Sequence, residues 1–320
     1  VRRDLLILLG VVAAGLILPA AVGNDYYLTI MVMVTLNAMV VNGLVLLMGY
    51  AGQVSIGHAA FYGLGAYLTG ILTTRYRWPI PAGILAALIL TALVAWVVGK
   101  PALRLKGHYL AMATLAIGEI IHIAFNELDF LTGGPSGLSG IPRLALAGIS
   151  FDSDRRFYFL CLGVLALVLL SSLNIIHSRP GRGLLAIHGS ERAAQAMGVD
   201  TAAFKTAVFV ISAVYAALAG ALYAHFITFI SPSSFGVGAS VLLVTMVAIG
   251  GMESVWGGLV GAAVLTILPE YLRVFRDYDI LIYGAILMTI MIFMPRGLVI
   301  GLPEGVLHLF RRAGRRVASP

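Results

Sequence analysis

Ten long apolar runs separated by short polar intervals dominate this chain. They fall near residues 5–22, 27–48, 56–74, 80–99, 108–126, 157–176, 204–229, 237–250, 256–272 and 280–295. Runs of about 15 to 25 apolar residues match a hydrocarbon core crossed at about 1.5 Å per residue. Inside lipid each backbone amide must find a partner within its own segment, so such runs become helices. The expected fold is an all-α integral membrane protein with about ten transmembrane helices. Composition agrees: 11% of residues are charged, where a soluble domain carries about 25%. The eighth run is short, and Gly250–Gly258 between it and the ninth reads either as a re-entrant turn or as a link between two crossings.

An even number of crossings puts both termini on one side, and the basic residues choose which. Intervals on the N-terminal side hold 14 of the 21 Lys and Arg, including Arg2, Arg3, Lys100, Arg104, Lys106, Arg179, Arg182, Arg192 and Lys205. Basic residues mark cytoplasmic loops, so both termini and the 177–205 interval are expected in the cytoplasm of a bacterial or archaeal cell, facing away from the exterior across its inner membrane. The net charge of +7 is then a topological signal and calls for no nucleic acid. Arg2, Arg3, an apolar run to Leu18 and Pro19-Ala20-Ala21 have the look of a signal peptide. A retained first span is the expected reading, since nine further spans need no separate export signal. The lone Cys161 permits no intrachain disulfide. One membrane domain over 1–320 is expected, with an external loop at 127–156 and a basic cytoplasmic tail at 297–320.

The 177–205 interval carries a helix of its own. Pro180 and Gly181 break what precedes, and a helical stretch over 181–198 runs until Gly198 stops it. Arg179, Arg182 and Arg192 flank a small apolar face of Leu185, Ala193, Ala196 and Met197. Such a helix suits docking of a soluble partner, and equally suits lying on lipid headgroups.

Chemistry-bearing motifs are sparse. No G-x-x-x-x-G-K-[ST] phosphate loop, H-E-x-x-H or G-x-S-x-G occurs. Glu119-x-x-His122 is half of a di-iron helix signature without its second copy. No catalytic residue, metal or cofactor is therefore expected. On the fifth run Glu119, His122 and Asn126 fall within about 60° of arc and form one polar stripe. A carboxylate at bilayer centre costs on the order of 3 kcal/mol, so it should face protein or water. The stripe reads as the wall of a transport path or as a set of helix-to-helix hydrogen bonds. Between the second and third runs, Gly49, Gly52 and Gly57 interrupt the helix beside Gln53, Ser55 and His58. Interrupted spans line cavities in carriers, because irregular backbone is tolerated only where protein or water satisfies it. Close packing competes with that reading, since Ala59/Gly63, Ala66/Gly70, Ala216/Gly220 and Gly257/Gly261 are small-xxx-small pairs.

Six blocks, GYAGQVSIGHAAFYGLGAY (49–67), RLKGHYLAMATLAIGEI (104–120), TGGPSGLSGIP (132–142), GRGLLAIHGSERAAQAMGVD (181–200), GGMESVWGGLVGAAVLTILPE (250–270) and FMPRGL (293–298), together resemble a known family. They are similar to the permease subunits of branched-chain amino-acid ABC importers, and within these to the M-type subunit of the Liv system. The resemblance implies a second, related permease subunit, two cytoplasmic ATP-binding subunits and an external solute-binding protein. It aligns 181–198 with the family's coupling helix, which implies ATPase contacts for Arg182, Leu185, Glu191, Arg192, Ala193, Met197 and Gly198. It does not identify the solute, and urea, short amides or other amino acids stay open. An ion-coupled carrier with Glu119 and His122 as proton site is the reading from another class. Gln53, Ser55, His58, Glu119, His122 and Asn126 are the candidate path residues, chosen on polarity alone.

Overall fold

The computed structural model describes residues 2–21, 24–146, 149–272, 279–294 and 297–299. Ten helices overlie the ten apolar runs: α1 (Arg2–Ala21), α2 (Asp25–Leu44, continued by a π-helical turn Val45–Tyr50), α3 (His58–Thr74), α4 (Ile80–Ala102), α5 (His108–Glu127), α7 (Asp154–His177), α10 (Thr201–Ile227), α11 (Val237–Gly250), α12 (Val255–Leu272) and α13 (Asp279–Phe293). A short α6 (Asp129–Thr132) lies after α5, while α8 (Arg179–Gly189) and α9 (Glu191–Ala196) form an arm between α7 and α10. By length and composition, seven stretches among the described residues can cross a membrane: α2, α4, α5, α7, α10, α11 with its preceding 3-10 turn, and α12. An all-α, multi-pass membrane protein is thus supported, while length and composition support seven crossings among the described residues and not the expected ten.

The core is α2. From Ala38 to Gly49 every residue is buried, which suits a helix apolar on all sides. It packs against α7, α10 and α12. Beside it α3 lies along α10 at backbone contact: a Cβ on Gly220 would stand 1.9 Å from the Tyr62 carbonyl oxygen. A Cβ on Gly261 would stand 1.9 Å from that of Met246, which fixes α11 on α12 in the same way. Two of the small-residue pairs read from the sequence are therefore packing contacts, as membrane helices use them.

The loops sort to two ends. At the arm end, His177 Nε2 lies 3.2 Å from Asp4 Oδ2, Trp256 Nε1 lies 3.4 Å from Asp4 Oδ1, and Lys106 pairs with Glu191 at 2.9 Å. At the opposite end, Thr29 donates to Asp154, Arg75 to the Phe130 carbonyl, and Leu138–Ser139 pairs antiparallel with Phe229–Ile230. The 127–156 interval is structured: α6, a 3-10 turn at Gly134–Ser136, and a two-stranded ladder of Ala145–Leu146 with Ile149–Ser150. The expected basic tail lies outside the described residues from 300 onwards.

At Gly250–Gly258 the link between two crossings is favoured over a re-entrant turn, since α11 with its preceding 3-10 turn and α12 are each long and apolar enough to cross. Four residues link α11 to α12, and Gly257 and Gly261 of α12 pack against the end of α11 at backbone contact. The irregular backbone sits instead at 51–57 and at 228–236, where Phe229–Ile230 and the 3-10 turn Pro232–Phe235 separate α10 from α11.

Candidate functional site

The break after α2 carries most of the polar geometry. The π-helical turn ends at Tyr50, and Ala51–Gly57 runs without helix before α3 starts at His58. That stretch climbs from the arm end into the bundle. Ile56 donates its amide to Thr114 Oγ1 at 3.1 Å, and Ala59 donates to Ser240 Oγ at 3.1 Å. His58 lies between Ser55 Oγ, 2.8 Å from Nδ1, and Ser212 Oγ, 2.7 Å from Nε2. Ser212 is eleven residues into α10, so this layer lies about 16 Å from the arm end, near mid-bundle. Side-chain hydroxyls on three neighbouring helices thus satisfy a segment whose backbone has lost its helical partners, which is the condition for irregular backbone inside a membrane. α3 is short for the same reason: the first turns of the third apolar run are spent on the extended stretch.

This geometry divides the predicted path residues. Ser55 and His58 are each 1% exposed, and His58 bridges Ser55 and Ser212, so within this chain they form a clamp between helices. Polarity alone could not have separated them, because clamp and wall both need hydrogen-bonding groups beside the break. Gln53 is half-buried, with Nε2 donating to the Ala51 carbonyl at 2.9 Å, and its neighbours Gly52 and Val54 are exposed. Glu119, His122 and Asn126 do share one face of α5 and are all half-buried. Asn126 Nδ2 lies 3.3 Å from His122 Nε2 and donates to the His122 carbonyl at 3.0 Å. Glu119 forms no hydrogen bond or ion pair with any described residue. Most of α5 is uncovered: Tyr109, Met112, Ile120 and Ile123 point out of the bundle. A polar stripe therefore lies along the edge of a face that this chain alone does not bury.

The arm is built from caps. Ser178 Oγ accepts the Gly181 amide at 3.4 Å with Pro180 in the first turn, which opens α8. The single helix expected over 181–198 is two helices, because Ser190 adopts extended backbone (φ −161°, ψ 111°) and caps α9 by accepting the Ala193 amide at 3.3 Å. Past α9, Gly198 N donates to Gln195 O at 2.9 Å and Val199 N to Ala194 O at 3.0 Å. That is the Schellman pattern, and it needs the left-handed φ of +83° that Gly198 supplies. Leu184, Ile187 and Ala194 point inward, while Leu185 and Met197 are 49% and 84% exposed, with Arg182, Arg192 and Ala193 also outward.

Glu191 is the exception among the predicted contact residues. Its Oε1 accepts from Lys205 Nζ at 2.7 Å and its Oε2 meets Lys106 Nζ at 2.9 Å. Lys205 is buried and also donates to the Leu103 carbonyl at 3.0 Å. Partial burial pushes the Glu191 carboxyl upward, but the hydrogen bonds from Lys205 and Lys106 outweigh it and hold the group below its ordinary range. Both oxygens are thus spent inside the chain, tying α9 to α10 and to the end of α4. The reason is position: a carboxylate in the first turn of α9 lies directly over the start of α10.

Sequence reasoning missed His188. Its Nδ1 lies 2.6 Å from the Gly49 carbonyl, so Nδ1 carries the proton and donates. Gly49 in turn abuts the 251–254 link, where a Cβ would come within 1.7 Å of the Met252 carbonyl oxygen, and Tyr50 Oη donates to the Glu253 carbonyl at 3.3 Å. The arm, the end of α2 and the α11–α12 link therefore meet at one point. The only available signal was a histidine at the end of a helix next to a glycine-rich block more than a hundred residues away.

A many-helix membrane bundle with a broken central helix, an uncovered polar face and a polar arm is the architecture of a transport permease. The chain belongs to the family described as branched-chain amino acid transport system / permease component, whose profile matches residues 26–294. It is 33% identical over 280 residues to the high-affinity branched-chain amino acid transport system permease protein LivM of Escherichia coli and of Salmonella typhimurium. That match covers 80% of this chain and 66% of those relatives, slightly less than two thirds of their length. To LivH of Salmonella typhimurium it is 23% identical over 285 residues, covering 83% of this chain and 92% of the relative. To the autoinducer 2 import system permease protein LsrC of Escherichia coli it is 25% identical over 262 residues, covering 76% and 71%. No solved structure matches the chain.

Proposed function

We propose that this chain is the inner-membrane permease subunit of an ABC importer for branched-chain amino acids, and that the arm is where force enters. The observation that carries this is the His188–Gly49 hydrogen bond. It joins an arm with outward apolar and basic groups to the end of the most buried helix, at the start of the break. Arg182, Leu185, Arg192, Ala193 and Met197 form the face that docks on an ATP-binding subunit, Gly198 ends it, and Glu191 fixes its seat. Two such ATPases act on a pair of permeases, this chain and a related one of the kind named by the LivH match, while an external solute-binding protein delivers the cargo. α1, α3 and α13 complete ten crossings, and the arm end with both termini is cytoplasmic. The uncovered face of α5, with Glu119, His122, Asn126 and the nearby Gln53 segment, lines the path between the two permeases. Glu119, which has no partner among the described residues, meets water or the second subunit there.

Branched-chain amino acids are favoured as solute by the names of the relatives with 33% identity. The test is uptake of labelled leucine by the complete complex in proteoliposomes. ATP-dependent uptake is expected, and His188→Ala should keep most ATP hydrolysis while uptake falls severalfold. Uptake that persists without ATP but collapses with a protonophore would establish an ion-coupled carrier instead.

A further inference from the structure

We infer that the cleft between α4 and α10 at the arm end is a binding site for an anionic phospholipid. This needs only that the bundle sits in a membrane, and not that it transports. The cleft has a volume of about 920 Å³ and is lined at its mouth by Lys100, Arg104 and Lys106, with Trp96 and Leu103 on the α4 side and Val210 and Ile211 on the α10 side. Its two acids are already engaged. Glu191 is held by Lys205 and Lys106, and Asp200 Oδ1 caps α10 by accepting the Ala203 amide at 3.0 Å. Lys100 and Arg104 form no ion pair with any described residue. Lys100 Nζ stands 5.1 Å from the centre of the Trp96 ring, which orients the ammonium at the mouth.

The cleft is amphipathic along the bundle axis. Trp96 lies six residues inside the end of α4, and Ile211 ten residues inside the start of α10, so the apolar floor runs about 9 to 15 Å in from the charged mouth. The floor is low because α10 presents Ala203 and Ala207 there. Outside the cleft the α4 surface stays apolar and open, with Leu93 and Val97 each 55% exposed. A free inorganic anion would leave this wall wet, and a zwitterionic lipid would leave two cations without a counter-charge. A lipid with a net negative headgroup meets both, and basic pockets between membrane helices hold such headgroups.

The test uses the full chain in nanodiscs, with Trp78 and Trp256 replaced by Phe so that Trp96 reports alone. Dibrominated phosphatidylglycerol at low mole fraction in phosphatidylcholine should quench Trp96 several-fold more than dibrominated phosphatidylcholine at the same fraction. Each basic residue beside an anionic headgroup is worth about fivefold in affinity, so Lys100→Gln with Arg104→Gln should weaken the preference by about 25-fold. Lys100→Arg with Arg104→Lys should keep it. Equal quenching by the two lipids overturns the inference. So does release of the quenching by millimolar inorganic phosphate, which would make this a free-anion site, or by added ATPase subunits, which would make it part of their groove.

Discussion

Glu191→Gln is the substitution that most sharply tests how the arm is seated. In the native chain Lys205 Nζ has two partners, Glu191 Oε1 at 2.7 Å and the Leu103 carbonyl at 3.0 Å, with a side chain only 4% exposed. Removing the carboxylate charge leaves a buried ammonium with neutral acceptors only, the Gln amide oxygen and the Leu103 carbonyl. Breaking a buried pair from one side costs about 3–5 kcal/mol. The Glu191 side chain is 18% exposed, so water can reach this site, and the lower end, about 3 kcal/mol, is expected. Lys205→Met is milder. It deletes the buried cation, and Glu191 keeps Lys106, whose side chain is 66% exposed, and the solvent, for a cost of about 1 kcal/mol. The double variant should resemble Lys205→Met alone, giving a coupling of about 3 kcal/mol between the two sites. Hydrogen exchange across 190–205 reads this as local opening, about a hundredfold faster in Glu191→Gln and a few-fold in the other two. The pH dependence has a definite sign. A carboxyl held below its ordinary value of 4.5 contributes stability that is fully present above that value and is lost as pH falls through the depressed one. Protection should therefore be level from neutral pH down to the ordinary value, and fade only below it. Equal damage from Glu191→Gln and Lys205→Met would refute the reasoning, since it would mean that no buried ammonium is being stranded.

Three further outcomes are expected. Gly49→Ala forces a Cβ to within 1.7 Å of the Met252 carbonyl, so the α2 end and the α11–α12 link must separate. Thermal unfolding should show a loss of about 1–3 kcal/mol, while Gly163→Ala, with nothing within 4 Å, should show none. Met197→Glu changes a side chain 84% exposed, so the isolated chain should melt within about 0.5 kcal/mol of the parent while affinity for the ATPase subunits, read by pull-down titration, falls about tenfold or more. Glu119→Gln should assemble normally, because no described residue depends on the charge, and should lower leucine uptake severalfold; unchanged uptake would remove Glu119 from the path.

The helices themselves were legible in the chain. Ten apolar runs became ten helices with ends close to those expected, because lipid leaves the backbone no alternative. The opening of the polar arm at Pro180 and its stop at Gly198 were legible through local effects on backbone geometry, whereas the break at Ser190 was not. What the chain alone could not decide was which polar groups face one another. His58 and Glu119 look alike as polar residues in membrane segments, yet Ser212 partners one inside the bundle and no described residue partners the other. Glu191 looked like a surface contact until Lys205 and Lys106 closed on it. His188 carried no signal until folding brought Gly49 beside it. Helices are determined by neighbours in sequence, whereas the partner of a buried polar group comes from another helix, and only the packing of the whole bundle chooses it.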